Sequence, residues 1–294
     1  MGNNNTLKTF ILDVLVKKGM ILLVNNKWGN NNQHKEHSTL EYIEDFIYCM
    51  SHSSSFNDVI FKGGITLLCA FKKYNYANRR LTKDIDIHGT DYNKWMNFKR
   101  DIISCSNYSF FNVRYKIIKE IITNEATKNE SVSIGVYNNS GLITKFSIDV
   151  NFKWSTLAAE NYSLGGLVNI KGYTTELILV DKIHACESKQ INRRLKDLFD
   201  VYSLSFLKEY NSIDLVKLYI DKYKGIPDKM YMFQLENLKE LEYGYGKLKG
   251  IEAKPDFKLM YKRVCNFLIP LHYFILNKSN ANYVWRNNQW ILQE

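Results

Sequence analysis

A glycine pair and a pair of aspartates, about twenty residues apart, constrain this 294-residue chain more than any other feature. Asp58 to Lys62 reads as a short strand, Gly63-Gly64 as a turn, and Ile65 to Phe71 as the start of a buried helix. A strand that turns on glycines into a helix leaves backbone N–H groups aimed at the turn, which favours an anion such as a phosphate. Downstream, Arg80-Leu81-Thr82-Lys83-Asp84-Ile85-Asp86-Ile87 holds two carboxylates one residue apart in a β-like run. Side chains alternate along a strand, so Asp84 and Asp86 share one face while Ile85 and Ile87 point into a core. Two like charges held this close repel each other, and a divalent cation is the natural compensation.

Metal-dependent phosphoryl and nucleotidyl transfer gains from a further acid, which activates the attacking oxygen or completes the metal shell. Asp149 is the candidate. In Lys145-Phe146-Ser147-Ile148-Asp149-Val150-Asn151-Phe152 the apolar residues fall on one face and Asp149 on the other, in a strand expected beside that of Asp84 and Asp86. Ser109–Ile118, Ser131–Tyr137 and Leu142–Phe152 read as strands of a meander, the last two joined by the turn-like Asn138-Asn139-Ser140-Gly141. Between the glycines and the aspartates lie Lys72, Lys73, Arg79, Arg80 and Lys83, interleaved with Tyr74 and Tyr76, a cluster suited to steering a polyphosphate. Of these, Arg80 is the one assigned to function; an exposed basic helix end accounts equally well for the others.

Composition excludes several classes. With 45% apolar residues the chain builds a sizeable core without staples. Its five cysteines are scattered, with no CxxC and no histidine at ligand spacing, which argues against a zinc site or a disulfide framework and for a reducing cytoplasm. No apolar run approaches the roughly 20 residues that span a bilayer; Leu7 to Val24, broken by Lys8, Asp13, Lys17 and Lys18, reads as an amphipathic helix and a following element. The opening Met1-Gly2-Asn3-Asn4-Asn5-Thr6 fits the permissive myristoylation pattern and nothing else supports an anchor. The formal charge of +10 is spread out: Lys+Arg against Asp+Glu count 11 to 8 over residues 1–87, 10 to 7 over 88–175 and 19 to 15 over 176–294. Such a surface suits a polyanionic partner but is also what ordinary solvation produces.

Asn25 to Ser38 reads as a loop, Thr39–Met50 and Trp95–Cys105 as helices, and from Glu176 onward the spacing is helical throughout. The expected fold is therefore α+β: a mixed sheet with flanking helices over residues 1–175, with a break near Gly172, then an all-helical domain over 176–294. In that second part Lys182 stands on an otherwise apolar helix face, and Asp197 and Asp200 lie at i, i+3 on one side of another helix. Structural salt bridges explain these residues as well as function does. His88 and His184 have no partners at ligand spacing and read as structural or incidental.

Taken in order, Lys62-Gly63-Gly64, Arg80-x-Thr82-x-Asp84-Ile85-Asp86, Lys182-Ile183-x-Ala185 and Lys196-Asp197-Leu198-Phe199-Asp200 resemble the AbiEii/AbiGii toxin family of nucleotidyltransferases, within the polymerase-β-like superfamily. Phe267-Leu268-x-Pro270 and the tryptophans Trp285 and Trp290 extend the likeness to the C-terminus. Two positions depart from the family pattern: Ile65 follows the glycines where a hydroxyl is expected, with Thr66 one place later, and Thr82 stands where serine is commoner. The resemblance implies a cytoplasmic toxin of a toxin–antitoxin or abortive-infection system, active in phage defence. It also implies an enzyme that uses Mg²⁺ or Mn²⁺ to move NMP from an NTP to an acceptor such as tRNA, and a cognate antitoxin as partner. Carried over, Lys62, Gly63, Gly64, Thr66, Arg80, Thr82 and Lys182 contact the nucleotide and Asp84, Asp86 and Asp149 hold the metal. Catalysis falls to those three aspartates with Lys182 and Asp197. A non-catalytic nucleotide or RNA binder and a kinase on the same scaffold are the competing readings.

Overall fold

The computed structural model describes residues 37–77, 80–152, 158–224 and 229–293. The predicted N-terminal helix, the myristoylation pattern, most of the Asn25–Ser38 loop and Arg79 lie outside the described residues. The described residues divide into two compact units, one drawn from residues 37–69 and 82–172, the other from 70–81 and 173–293.

The first unit is built on a seven-stranded mixed sheet. Its strands are β1 (Val59–Lys62), β2 (Asp84–Gly89), β3 (Arg114–Asn124), β4 (Asn129–Asn138), β5 (Gly141–Asn151), β6 (Ala159–Leu164) and β7 (Val168–Tyr173), in the order β3-β4-β5-β2-β1-β7-β6. The strands β3, β4 and β5 form the antiparallel meander read from the sequence, β5 pairs parallel with β2, and β2 pairs antiparallel with β1. The turn from β4 to β5 is held by Asn138, whose Oδ1 accepts from the N–H groups of Ser140 (2.8 Å) and Gly141 (3.1 Å). One face of the meander is core: Val132, Ile134, Val136, Phe146, Ile148 and Val150 are buried, continued on β2 by Ile85 and Ile87.

Helices cover that apolar face. In α1 (Thr39–Met50), Ser38 and Glu41 form a capping box, and Phe46 packs edge-on against Tyr115 and Phe146. Buried Asp45 ties α1 to the approach to β3, accepting from Tyr115 Oη (2.5 Å), Ser109 Oγ (2.7 Å) and Phe110 N (2.8 Å). That anchor holds Ser109 to Val113 outside the sheet, so β3 starts later than the predicted Ser109 and runs further, to Asn124. Burial raises the Asp45 pKa although the three donors oppose the shift. The helix α3 (Tyr92–Cys105) packs on β4 through Lys99 and Trp95, both of which donate to Glu130. Between β1 and β2 lies α2 (Gly63–Lys73), whose Thr66 is buried against Gly172 of β7. The strands β6 and β7 answer to no element in the sequence reading.

The second unit is mainly helical, as the spacing predicts: α4 (Thr175–Cys186), α5 (Ile191–Leu204), α6 (Ser212–Tyr223), α7 (Leu238–Lys247) and α8 (Phe257–Leu276). It adds what helical spacing does not announce, a small antiparallel sheet of β8 (Tyr210–Asn211), β9 (Tyr283–Arg286) and β10 (Gln289–Leu292). Trp285 Nε1 donates to Ser205 O and Trp290 Nε1 to Phe267 O, both at 2.9 Å, so the two indoles fasten this sheet to the C-terminal end of α5 and to the middle of α8. The segment 70–81 belongs here: Leu81 N donates to Gly250 O at 2.8 Å, beside a β-bridge between Arg80 and Ile251.

Candidate active site

The face of the sheet opposite the core carries the carboxylates. On β2, Asp84 and Asp86 are half-buried while Ile85 and Ile87 are fully buried, the alternation that the sequence predicts. Asp149 lies opposite Asp86 in the parallel β2–β5 register, and paired positions on neighbouring strands, about 4.8 Å apart, project to the same side. Lys62 is the antiparallel partner of Asp86 on β1 and shares this side too. Register thus gathers three acids and one lysine on the adjacent strands β5, β2 and β1.

Hydroxyls fix two of the acids. Thr82 Oγ1 donates to Asp84 Oδ1 at 2.7 Å, and Ser131 Oγ, across from Asp149 on β4, donates to Asp149 Oδ1 at 2.5 Å. Ser131 escaped the sequence reading. Its signal was the alternation Ser131-Val132-Ser133-Ile134, which puts small polar groups on the acid side of β4. The glycine turn closes on the same acids. Gly63 has φ +61°, a conformation costly for other residues, and a Cβ there would fall 1.9 Å from Asp86 Oδ2. A Cβ on Gly64 would fall 2.4 Å from Thr82 Oγ1. Close approach requires both glycines, and the left-handed backbone additionally requires Gly63. Thr66, by contrast, is fully buried, its hydroxyl near Gly172 and without a hydrogen-bond partner among the described residues.

The donor set is hard oxygen from half-buried carboxylates, which suits Mg²⁺ or Mn²⁺ and not a thiolate-seeking metal. Among the described residues no three His, Cys, Asp or Glu side chains converge as a ready-made metal cluster. A pair of carboxylates fits the cation nevertheless, because Mg²⁺ in nucleotide sites is held by one or two carboxylates plus water and substrate phosphates. An apolar pocket elsewhere on the first unit, lined by Tyr48, Phe110, Leu167 and Val168 among others, contains none of the predicted site residues.

The second unit holds the other predicted residues, in a buried ion network. Lys182 Nζ lies 2.6 Å from Asp197 Oδ1 and 2.9 Å from Asp200 Oδ2; Arg80 meets both oxygens of Asp200, at 3.1 and 3.2 Å. Asp197 and Asp200 are almost fully buried. Burial opposes the charge on Lys182, but Asp200 and Asp197 outweigh it and hold the ammonium well above the ordinary lysine range. Burial likewise disfavours the Asp200 carboxylate, and Lys182 and Arg80 overcome it, so its pKa lies below the ordinary value. Arg80 and Lys182 therefore balance carboxylates here, and Asp200, whose role the sequence leaves open, is the centre of the network.

Residues 45–263 match the family model described as Nucleotidyl transferase AbiEii toxin, Type IV TA system. No curated protein matches the chain. Among solved structures the chain is similar to a candidate nucleotidyltransferase from H. pylori, at 12% identity and TM-score 0.48, covering 84% of this chain and 99% of that one. It is similar also to JHP933 from Helicobacter pylori, at 12% identity and TM-score 0.46, covering 81% and 91%. A third is an antigenic nucleotidyltransferase-like protein from Paracoccidioides brasiliensis, at 15% identity and TM-score 0.37, covering 55% and 75%. The family match, which spans most of the chain and includes Gly63, Gly64, Asp84, Asp86 and Asp149, places the protein in the AbiEii nucleotidyltransferase toxins of type IV toxin–antitoxin systems.

Proposed function

We propose that the protein transfers NMP from an NTP to a hydroxyl of an RNA acceptor such as tRNA in a Mg²⁺- or Mn²⁺-dependent reaction, in the cytoplasm. The consequence proposed is growth arrest in phage defence, countered by a cognate antitoxin. The observation that carries this reading is the gathering of Asp84, Asp86 and Asp149 on one sheet face, with Asp86 against the Gly63–Gly64 turn. The cation, when bound, supplies neutralisation of the triphosphate and of the departing pyrophosphate.

The chain's own residues have distinct tasks in this proposal. Asp84 and Asp86 hold the cation, with Thr82 fixing the Asp84 carboxylate through its hydroxyl. Gly63 and Gly64 let the phosphates reach the first N–H groups of α2, and Lys62 adds a cation at the same edge. Asp149 Oδ1 is taken by Ser131, so its other oxygen accepts the proton of the attacking hydroxyl or joins the metal set. That hydroxyl oxygen forms a bond to the α-phosphorus, the bond from the α-phosphorus to the bridging oxygen breaks, and pyrophosphate leaves with the electron pair. For Thr66, Arg80, Lys182 and Asp197 the family resemblance supports nucleotide contact. Their own geometry supports a role in packing and in neutralising buried charge.

Labelled nucleotide tests the proposal. With each of the four NTPs carrying label on the α-phosphate, total cellular RNA becomes labelled, and Asp84→Ala or Asp86→Ala abolishes both labelling and toxicity. Transfer of γ-phosphate label identifies a kinase instead, and absence of transfer with retained NTP binding identifies a non-catalytic binder.

A further inference from the structure

The acid side of the meander continues beyond Asp149, and its character changes with each cross-strand row. The first row contains Asp86, Asp149, Ser131 and Ile121. The second contains Asp84, Ser147, Ser133 and Lys119. The third contains Lys145, Gly135 and Lys116. All three lysines are exposed and none forms an ion pair with a described residue. The other acids of these strands, Glu120 and Glu130, alternate to the opposite face, where both meet Lys99. Tyr137 lies over Gly135, close enough that a Cβ there would fall 2.7 Å from its ring, and Lys116 Nζ is 5.4 Å from the ring centroid.

We infer that this strand face, running from Ser133 and Ser147 to Lys116, Lys119 and Lys145, is the acceptor-binding surface, and that its occupant is a single-stranded RNA end. The inference rests on the nucleotidyltransferase reading of Asp84, Asp86 and Asp149 and supplies what that reading lacks, a place for the second substrate. Charge complementarity selects the occupant: three cations in two adjacent rows match the phosphates of an unpaired strand, with small serines between them and the acids leaving room for the backbone. Tyr137 offers an aromatic surface for a base, a sequence-tolerant interaction that suits an acceptor recognised by its end. Chain direction follows from the rows. The hydroxyl to be modified lies at the acid row, and the preceding nucleotides extend over Lys119 and then Lys145 and Lys116.

The experiment is RNA binding by fluorescence anisotropy, with labelled total tRNA and a labelled single-stranded 12-mer, across a salt series. The triple variant Lys116→Gln, Lys119→Gln, Lys145→Gln is compared with a charge-matched control, Lys217→Gln, Lys239→Gln, Lys258→Gln. The expected result is affinity for both RNAs about tenfold or more weaker in the first variant only, with its salt slope smaller by about 2, at about 0.7 for each phosphate no longer neutralised. Thermal melting and NTP binding stay at wild-type values, since exposed lysines are replaced. Equal RNA affinity in the two triple variants overturns the inference, as does wild-type protein that binds neither RNA. Loss of antitoxin binding with RNA binding intact also overturns it, and assigns the face to a protein. Failure of the enzymatic reading is separable: Asp84→Asn keeps RNA affinity, so the surface is decided even where no label is transferred.

Discussion

Both units place two aspartates close together, and they resolve the repulsion in opposite ways. On the sheet of the first unit, Asp84 and Asp86 are two residues apart on a strand, half-exposed, and Asp84 and Asp149 are held by the hydroxyls of Thr82 and Ser131. In the second unit Asp197 and Asp200 are three apart on a helix, buried, and met by Lys182 and Arg80. Hydroxyls orient a carboxylate without neutralising it, whereas ammonium and guanidinium groups cancel its charge. At Asp84 and Asp149 the first arrangement leaves the charge to be met by an incoming cation; the second uses its charge up internally. Spacing on a strand or on a helix does not by itself distinguish the two, and the decisive variable is what the neighbouring strand or helix brings opposite the acids.

Substitution of the acids sharpens that contrast most. If the proposed function holds, Asp84→Asn or Asp86→Asn lowers transfer on the order of 10³-fold or more, the loss expected for ligands of a catalytic cation that act as a unit. The same changes leave urea stability unaltered or raised, because a repulsion is relieved. Asp200→Ala inverts the pattern: leaving buried Lys182 and Arg80 short of a partner destabilises the fold by about 3–5 kcal/mol, measured by urea unfolding. Equal stability losses in the two units would erase the comparison.

Acid titration breaks the comparison in a second way. Unfolded Asp200 titrates near the ordinary carboxylate value of 3.8 and the folded group below it, so the folded chain binds fewer protons there. Its contribution is complete above that value and is lost as pH falls through the lower folded one. Urea midpoints between pH 6 and 2 therefore drop for the wild type below about pH 4, and Asp200→Asn flattens part of that drop. A smaller effect is expected from Gly63→Ala, which forces a side chain into left-handed backbone against Asp86 and costs about 1–3 kcal/mol, with loss of transfer as Asp86 is displaced. Smallest is Thr82→Val, which removes the hydroxyl from Asp84 at about 1 kcal/mol and lowers transfer several-fold while NTP affinity changes little.

The sequence was legible where one period governs a segment. Alternation along Asp84–Ile87 and Phe146–Val150 assigned each acid its face, and the Gly63-Gly64 turn stood between a strand and a helix as expected. It was opaque where partners are distant. Arg80 and Asp200 are 120 positions apart, and nothing local announces their bidentate pair. The strands β6 and β7 are short, and Ala159-Glu160-Asn161-Tyr162 lacks the β-branched residues that mark a strand. The tryptophans near the C-terminus sit in strands too short for their period to be read.

The pairing of Asp86 with Asp149 makes the centre sensitive to chain length in one narrow place. A single residue inserted within β5 between Gly141 and Asp149 would turn every following side chain over, so that Asp149 enters the apolar layer and Ile148 takes its position beside Asp86. An insertion at the tip between β3 and β4, around Glu125 to Lys128, moves none of Asp84, Asp86 and Asp149. Natural variation in length among such toxins is thus expected to accumulate at the hairpin tips and to spare the strand interiors, and libraries that diversify this protein can follow the same division.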